Sequence, residues 1–370
     1  MDRKQLVTEL EALSNANGAP GFEDEVVSIL REQLEGLGQL EEDSLRNLYV
    51  FPETDTADPG RPVVMLDAHT DEVAFMVQAI LPNGMLSFLP LGGWIPANAA
   101  AQRVRIQTAS GHYIPGLIAS KPPHYMSEAE RDAPLSFDSM VIDIGASSAE
   151  EVLEQFQVRL GAPIVPDVLF GEIATTPNYR SHSGLVLGKA FDNRIGCAAL
   201  TATLRALQKH TGLGVSVVGA YAAQEEVGVR GAQLTVRRIK PDIAICFEGA
   251  PADDSFLLAG GAPPQTALGR GPMLRHLDVR MITHPRFQRF ALDLAEREDI
   301  PVQEGVRKGG GTNGAAIHLS ERGIPCIVIG IPVRYAHTHY GYASIDDLEH
   351  AVQLATQLIL ALNADTIAGF

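Results

Sequence analysis

Two adjacent carboxylates, Glu225 and Glu226, stand in the stretch Gln224-Glu225-Glu226-Val227-Gly228, which directly follows the apolar run Val215-Ser216-Val217-Val218-Gly219-Ala220-Tyr221-Ala222-Ala223. A run of this kind reads as a buried strand, and acids at its end face the crevice where an open parallel sheet places its ligands. Such a pair is in itself most simply a solvated turn, but other acids and histidines occupy the same kind of position. His69 and Asp71 follow the run 63–66, Glu248 follows 243–247, and His337 follows 326–331. Asp192 joins them in Gly188-Lys189-Ala190-Phe191-Asp192-Asn193-Arg194, where an apolar approach delivers an acid to a helix start. Singly, His69 reads as a core histidine, Asp192 as an N-cap, Glu248 as a turn acid, and His337 or its neighbour His339 as a surface residue. Jointly, two imidazoles and three carboxylates at one sheet edge fit a pair of divalent cations. Nitrogen and oxygen donors suit zinc, cobalt or manganese, and no thiolate is demanded. In a two-metal hydrolytic site one carboxylate bridges and a non-ligating carboxylate takes the proton of the attacking water. Five ligands plus one base is the set available. Successive side chains of extended backbone diverge, so one of Glu225 and Glu226 can face a metal while the other faces the water.

The elements that must position these residues follow from periodicity. Leu6, Leu10 and Leu13 share a helix face, and Phe22-Glu23-Asp24-Glu25 opens a second amphipathic helix after the turn Asn17-Gly18-Ala19-Pro20-Gly21. The strand of residues 62–66 runs into His69-Thr70-Asp71. From about Val73 to Gly184 short alternating strands are separated by glycine and proline, with one helix from Ser147 and a polar loop from Lys121 to Pro134; this reads as a small β-rich module. Beyond Leu185 strands alternate with helices, ending in a helix from Ile345 to Leu362. The alternation predicts an α/β protein whose mostly parallel sheet is sandwiched by helices. The expected domains are a catalytic one built from 1–72 plus 185–370 and an inserted β-rich one over 73–184.

A chain of 370 residues exceeds the size at which one core stops growing, in line with two domains. The formal charge of -16, from 29 Lys and Arg against 45 Asp and Glu, excludes the clustered cations of a nucleic-acid binder. No apolar run reaches the length of a membrane span, and the N-terminus has no uninterrupted apolar core of a secretory signal. Cys197, Cys246 and Cys326 are few, odd in number and set in apolar sequence, which fits a reducing, cytoplasmic compartment.

The motifs together carry a resemblance. Ala68-His69-Thr70-Asp71-Glu72, Ala190-Phe191-Asp192-Asn193-Arg194, Gln224-Glu225-Glu226-Val227-Gly228, Gly311-Thr312-Asn313 and Arg334-Tyr335-Ala336-His337 resemble the successive motifs of the M42 family of co-catalytic metallo-aminopeptidases, the glutamyl and deblocking (tetrahedral) aminopeptidases. Leu91-Gly92-Gly93-Trp94, the stretch Pro115 to Pro123 and Ile142 to Ala146 extend it through the module. The resemblance implies a zinc-peptidase-like fold with a PDZ-like insert, two divalent ions per chain (Zn2+ or Co2+, with Mn2+ an option), and removal of N-terminal residues from short peptides. It implies that His69, Asp192 and Glu248 hold one ion and Asp192, Glu226 and His337 the other. Glu225 is then the general base, and Asp71 orients His69. Dimers building a tetrahedral dodecamer are implied as well. Departures occur at Glu248, commonly Asp in the family, and at Asn313, often Asp, whose missing charge bears on recognition of the substrate amino terminus. Arg307 and Lys308 read as solvated loop charges. Competing readings are an N-acyl amino acid deacylase, an endoglucanase-type glycosidase, or an assembly protein whose site has decayed.

Overall fold

The computed structural model describes residues 2–51, 60–173, 184–255 and 263–370. Four parallel strands form the centre of an eleven-stranded sheet, in the order Ser216–Ala222, Val63–His69, Ile243–Pro251 and Cys326–Arg334. Their nearly continuous Val, Ile, Leu and Ala content suits strands covered on both faces. Residues of alternate parity go to opposite sides. Val64, Leu66, Ile245, Phe247 and Ile329 meet the helices Arg3–Asn15, Phe191–Leu207 and Ile345–Ala361. Met65, Ala244, Cys246 and Val328 meet helix Arg230–Ile239 and the short turn Gly314–Ile317. The flanks differ from the parallel expectation: Gln39–Glu42 and Leu48–Phe51 form a hairpin on one side, and Gly341–Ser344, Leu185–Gly188 and Gly171–Glu172 run antiparallel on the other. The short links 43–47 and 335–340 favour antiparallel pairing, whereas the parallel strands need longer crossovers.

Between the strands Val63–His69 and Gly171–Glu172 the chain closes a six-stranded antiparallel barrel, in the order Ala74–Ile80, Leu86–Leu91, Met140–Asp143, Tyr113–Ser120, Arg103–Gln107 and Pro163–Pro166. It has a separate core around Phe75, Phe88, Trp94, Val104, Ile118 and Ile142. The polar loop 121–134 contains a short helix, Glu128–Asp132, started by a Ser127 and Glu130 capping box. The C-terminal end of the expected module, residues 174–183, lies outside the described residues. Among the described residues no helix is long and apolar enough to cross a membrane.

Candidate metal centre

Strand register assembles the first half of the site. Cys246 is paired with Asp67, so Glu248, two residues on, stands next to His69 on the same face. Strand Ile243–Pro251 runs past Glu248, so this acid sits inside the strand and not after it. His69 Nε2 lies 3.5 Å from Glu248 Oε1 and 3.1 Å from Asp192 Oδ1. The other Asp192 oxygen, Oδ2, lies 3.3 Å from His337 Nε2. That nitrogen is 3.4 Å from Glu226 Oε2. Two triplets result, His69–Asp192–Glu248 and Asp192–Glu226–His337, each with donor atoms within 4.8 Å of one another and with Asp192 common to both. His339 belongs to neither: it is buried against Trp94 at a ring separation of 5.2 Å.

Both imidazoles present Nε2 inward because Nδ1 is engaged behind. His69 Nδ1 faces the Asp71 carbonyl at 3.2 Å and its Oδ1 at 3.3 Å; His337 Nδ1 donates to the Gly93 carbonyl at 2.9 Å. A carbonyl only accepts, so a proton sits on Nδ1, and Nε2 is the nitrogen turned toward the carboxylates, where a metal ion could displace its proton. Asp71 does more than face His69. Its Oδ1 accepts the Glu225 N–H at 2.9 Å and its Oδ2 the Glu226 N–H at 3.0 Å. These bonds hold the bend after Ser216–Ala222, where Gln224 takes a left-handed φ of 56°.

A sequence family described as M42 glutamyl aminopeptidase matches residues 53–354. The chain belongs to the M42 peptidase family. The glutamyl aminopeptidase of Lactococcus lactis subsp. cremoris is 32% identical, with 98% of each chain aligned. The TET aminopeptidase of a marine sediment Thaumarchaeota archaeon superposes with a TM-score of 0.92 at 35% identity, covering 100% of this chain and 99% of its own. The TET1 peptidase of Pyrococcus horikoshii, which can assemble into a tetrahedron or a large octahedral shell, gives a TM-score of 0.82 at 26% identity over 96% of this chain and 100% of its own. As an M42 member the protein is a peptidase, a hydrolase.

The electrostatics of the M42 chain have the signature of a site built for cations. Burial pushes Glu225 up to about 7, with Asp71 and Asp192 adding to the rise. Burial and Asp192 likewise raise Glu248 to about 8, and burial lifts Glu226 well above the carboxylate range. Burial alone would depress His337, but Asp192 and Glu226 outweigh it and bring it to about 10. Asp192 goes the other way: burial opposes ionisation, yet His337 and His69 hold it well below the usual range. Glu226 Oε1 is buried with no hydrogen-bond partner among the described residues. Buried carboxylates that crowd one another, with an orphaned oxygen and two correctly tautomerised imidazoles, fit divalent ions, whose charge would reverse these shifts. Glu225 stands beside both triplets and in neither.

The M42 centre opens into a cleft of about 770 Å³. Its far wall is cationic, with Arg275, Arg280, Arg307 and Lys308 beside the glycine-rich loop. Arg307 is no solvated loop charge: it is half-buried, donates to Asp253 Oδ2 at 3.1 Å and to the Pro251 carbonyl at 3.2 Å. Arg275 is buried on Asp278. Arg280 and Lys308 are exposed and make no ion pair among the described residues. Asn313 is buried and donates to Asp67 Oδ2 at 2.8 Å, so it props the glycine-rich loop from beneath and does not line the cleft. Sequence reasoning missed Gly93, whose glycine-rich setting points to a turn and not to a ligand contact.

Proposed function

We propose that the protein is a dinuclear metal-dependent aminopeptidase that removes N-terminal residues from short peptides. The observation that carries this is the pair of donor triplets sharing Asp192, with the non-ligating carboxylate of Glu225 beside them. His69, Asp192 and Glu248 would hold one divalent ion, zinc or cobalt, and Asp192, Glu226 and His337 the other. Such a pair supplies Lewis acidity toward a scissile carbonyl and acidifies water near neutral pH. Glu225 takes the proton of the attacking water on its carboxylate and delivers it to the leaving amine. Asp71 orients His69 and fixes the backbone of Glu225 and Glu226. The Arg280 and Lys308 wall favours an acidic side chain on the substrate.

The same reading divides the chain into a zinc-peptidase-like catalytic domain, 1–72 plus 185–370, and a PDZ-like domain, 73–184, that serves assembly and access. Self-association into dimers and a tetrahedral dodecamer is supported by the assembly of the Pyrococcus horikoshii relative. Three free, buried cysteines are compatible with the cytoplasm.

Glu225→Gln tests the assignment. Turnover should fall by about 10²–10⁴-fold with both ions retained; loss of an ion would make Glu225 a ligand and the mechanism wrong. Aminoacyl-p-nitroanilides set against N-acyl amino acids and cello-oligomers separate the peptidase from deacylase and glucanase readings.

A further inference from the structure

The half of the centre made by Glu226 and His337 is not completed by the large sheet alone. Its outer side is formed by Gly92, Gly93 and Trp94, which leave the barrel strand Leu86–Leu91. Gly92 has a left-handed φ of 87°, and a Cβ there would lie 2.7 Å from Val73 Cγ1 and 3.2 Å from Glu226 Oε2. Backbone therefore approaches the Glu226 carboxylate more closely than any side chain could. At Gly93 a Cβ would fall 3.1 Å from His337 Nδ1, the nitrogen that donates to the Gly93 carbonyl at 2.9 Å.

Trp94 secures this loop in both directions. Its Nε1 donates to the Ala74 carbonyl at 3.1 Å, and its ring stacks on Phe75 of the barrel core at 4.6 Å. The opposite contact is His339, 5.2 Å away and only 1% exposed, with neither ring nitrogen hydrogen-bonded among the described residues. A histidine so placed acts as an aromatic packing group. His339 lies two residues beyond His337, in a turn where Tyr335 and His337 both take left-handed φ, 62° and 60°. Non-glycine residues hold that conformation only where surrounding contacts fix it. The Thr338 hydroxyl closes the turn on the Tyr335 and Tyr340 carbonyls and Tyr335 packs on Tyr342, while the Gly93 carbonyl and the Trp94 ring fix its His337 and His339 side from the barrel.

Resting on the reading of Glu226 and His337 as ligands of one ion, we propose that Gly93 and the Trp94–His339 contact are positioning elements for that ion. Gly93 fixes the tautomer and direction of the His337 ring, and Trp94 against His339 seats the turn that carries it. Docking of the barrel on the sheet thereby sets the affinity of one half of the centre, while His69 and Glu248 are placed by the sheet register and by contacts that do not involve the barrel loop 92–94.

The test is a Zn2+ titration of chelated, full-length protein by calorimetry, with bound zinc counted by mass spectrometry after dialysis. Gly93→Ala should weaken one of two ions by about 10–100-fold and leave the other at wild-type affinity, the usual cost of losing an outer partner of a metal-bound histidine. His339→Ala should weaken the same ion, and His339→Phe, which keeps a ring against Trp94, should restore it. A purely structural role would instead lower the melting temperature of the metal-free protein and weaken both ions together, and that result overturns the proposal. So does Gly93→Ala binding both ions normally while His337→Ala loses one. If His337→Ala itself keeps two ions, the ligand reading falls and the proposal with it.

Discussion

Replacing Asp71 by Asn keeps the shape of a side chain that accepts three donors and changes only what it can accept. In the native site Asp71 is 0% exposed. Oδ1 takes the Glu225 N–H at 2.9 Å and faces His69 Nδ1 at 3.3 Å, and Oδ2 takes the Glu226 N–H at 3.0 Å. An amide offers one oxygen and one NH2. With the oxygen in the Oδ1 place, its NH2 confronts the Glu226 N–H; flipped, it confronts both the Glu225 N–H and the imidazole. The first orientation strands one buried donor and the second two, so the first prevails. Losing a charge-assisted bond and burying the donor costs about 2–4 kcal/mol. For a chain of this length that lowers the melting temperature by roughly 3–5 °C. Because the stranded N–H belongs to Glu226, the expected loss in kcat/KM is about 30–10³-fold if the whole cost appears at the transition state. A second effect separates Asp71 from any ordinary buried hydrogen bond. The Asp71 charge helps to raise Glu225, so removing it lowers the pKa of the base, and the acid limb of the kcat/KM profile moves to lower pH. Matched pH profiles of zinc-loaded wild type and Asp71→Asn make the measurement. Activity within two-fold of wild type, or a loss with the acid limb in place, would refute the reasoning.

Chelation should make stability strongly pH-dependent. In the two donor triplets burial raises Glu248 to about 8 and Glu226 well above the carboxylate range, above their unfolded values near 4.3. Their protonated forms favour the fold, so this contribution is present below the unfolded pKa and is lost as pH rises through about 8. His337, raised to about 10, acts in the same sense above pH 6.5. Cations reverse the crowding, so the gap in melting temperature between zinc-loaded and chelated protein should widen from pH 5 to pH 8; a gap constant with pH would contradict the assigned cluster. At the cleft wall, Arg280→Ala combined with Lys308→Ala should reduce kcat/KM for a glutamyl substrate by about 3–5-fold, the effect of exposed charges. The leucyl substrate is the control, and an equal fall on both would remove these cations from specificity.

What the sequence made legible follows from period and polarity. The central strands are largely apolar, and polar residues recur at or just past their ends, as with His69 after Ala68 and Glu225-Glu226 beyond Ala223, a recurrence that points to one shared site. The flanking strands Met273–Leu277, Gln303–Val306 and Gly341–Ser344 are short and mixed, and their sequence does not separate them from loop. A cation beside three glycines is normally solvated, and nothing near Arg307 in sequence announces Asp253, its ion-pair partner 54 residues away.

The deepest omission concerns how two ligands from distant parts of the chain come to one point. Glu72, Lys189 and Arg194 are at most 1% exposed, the opposite of what their residue types predict. Lys189 Nζ donates to Glu72 Oε1 at 2.5 Å and Oε2 at 2.7 Å, and Arg194 donates to the Thr70 carbonyl at 2.7 Å and to Glu72 at 3.3 Å. Glu72 and Thr70 flank Asp71 in the segment that bears His69, while Lys189 and Arg194 bracket Asp192. The two candidate ligand segments are thus tied by bonds from residues on both sides of Asp192 to residues just after His69, and Asp192 Oδ1 and His69 Nε2 lie 3.1 Å apart. Apolar groups of equal volume stabilise a fold as well as a buried ion pair does, because desolvation cancels most of the attraction. They pack without a fixed direction, however, whereas a salt bridge with further bonds to named carbonyls permits one relative placement. On the proposed reading a shared Asp192 needs that single placement, since an error of about 1 Å at a carboxylate common to both triplets would misplace both halves of the centre at once.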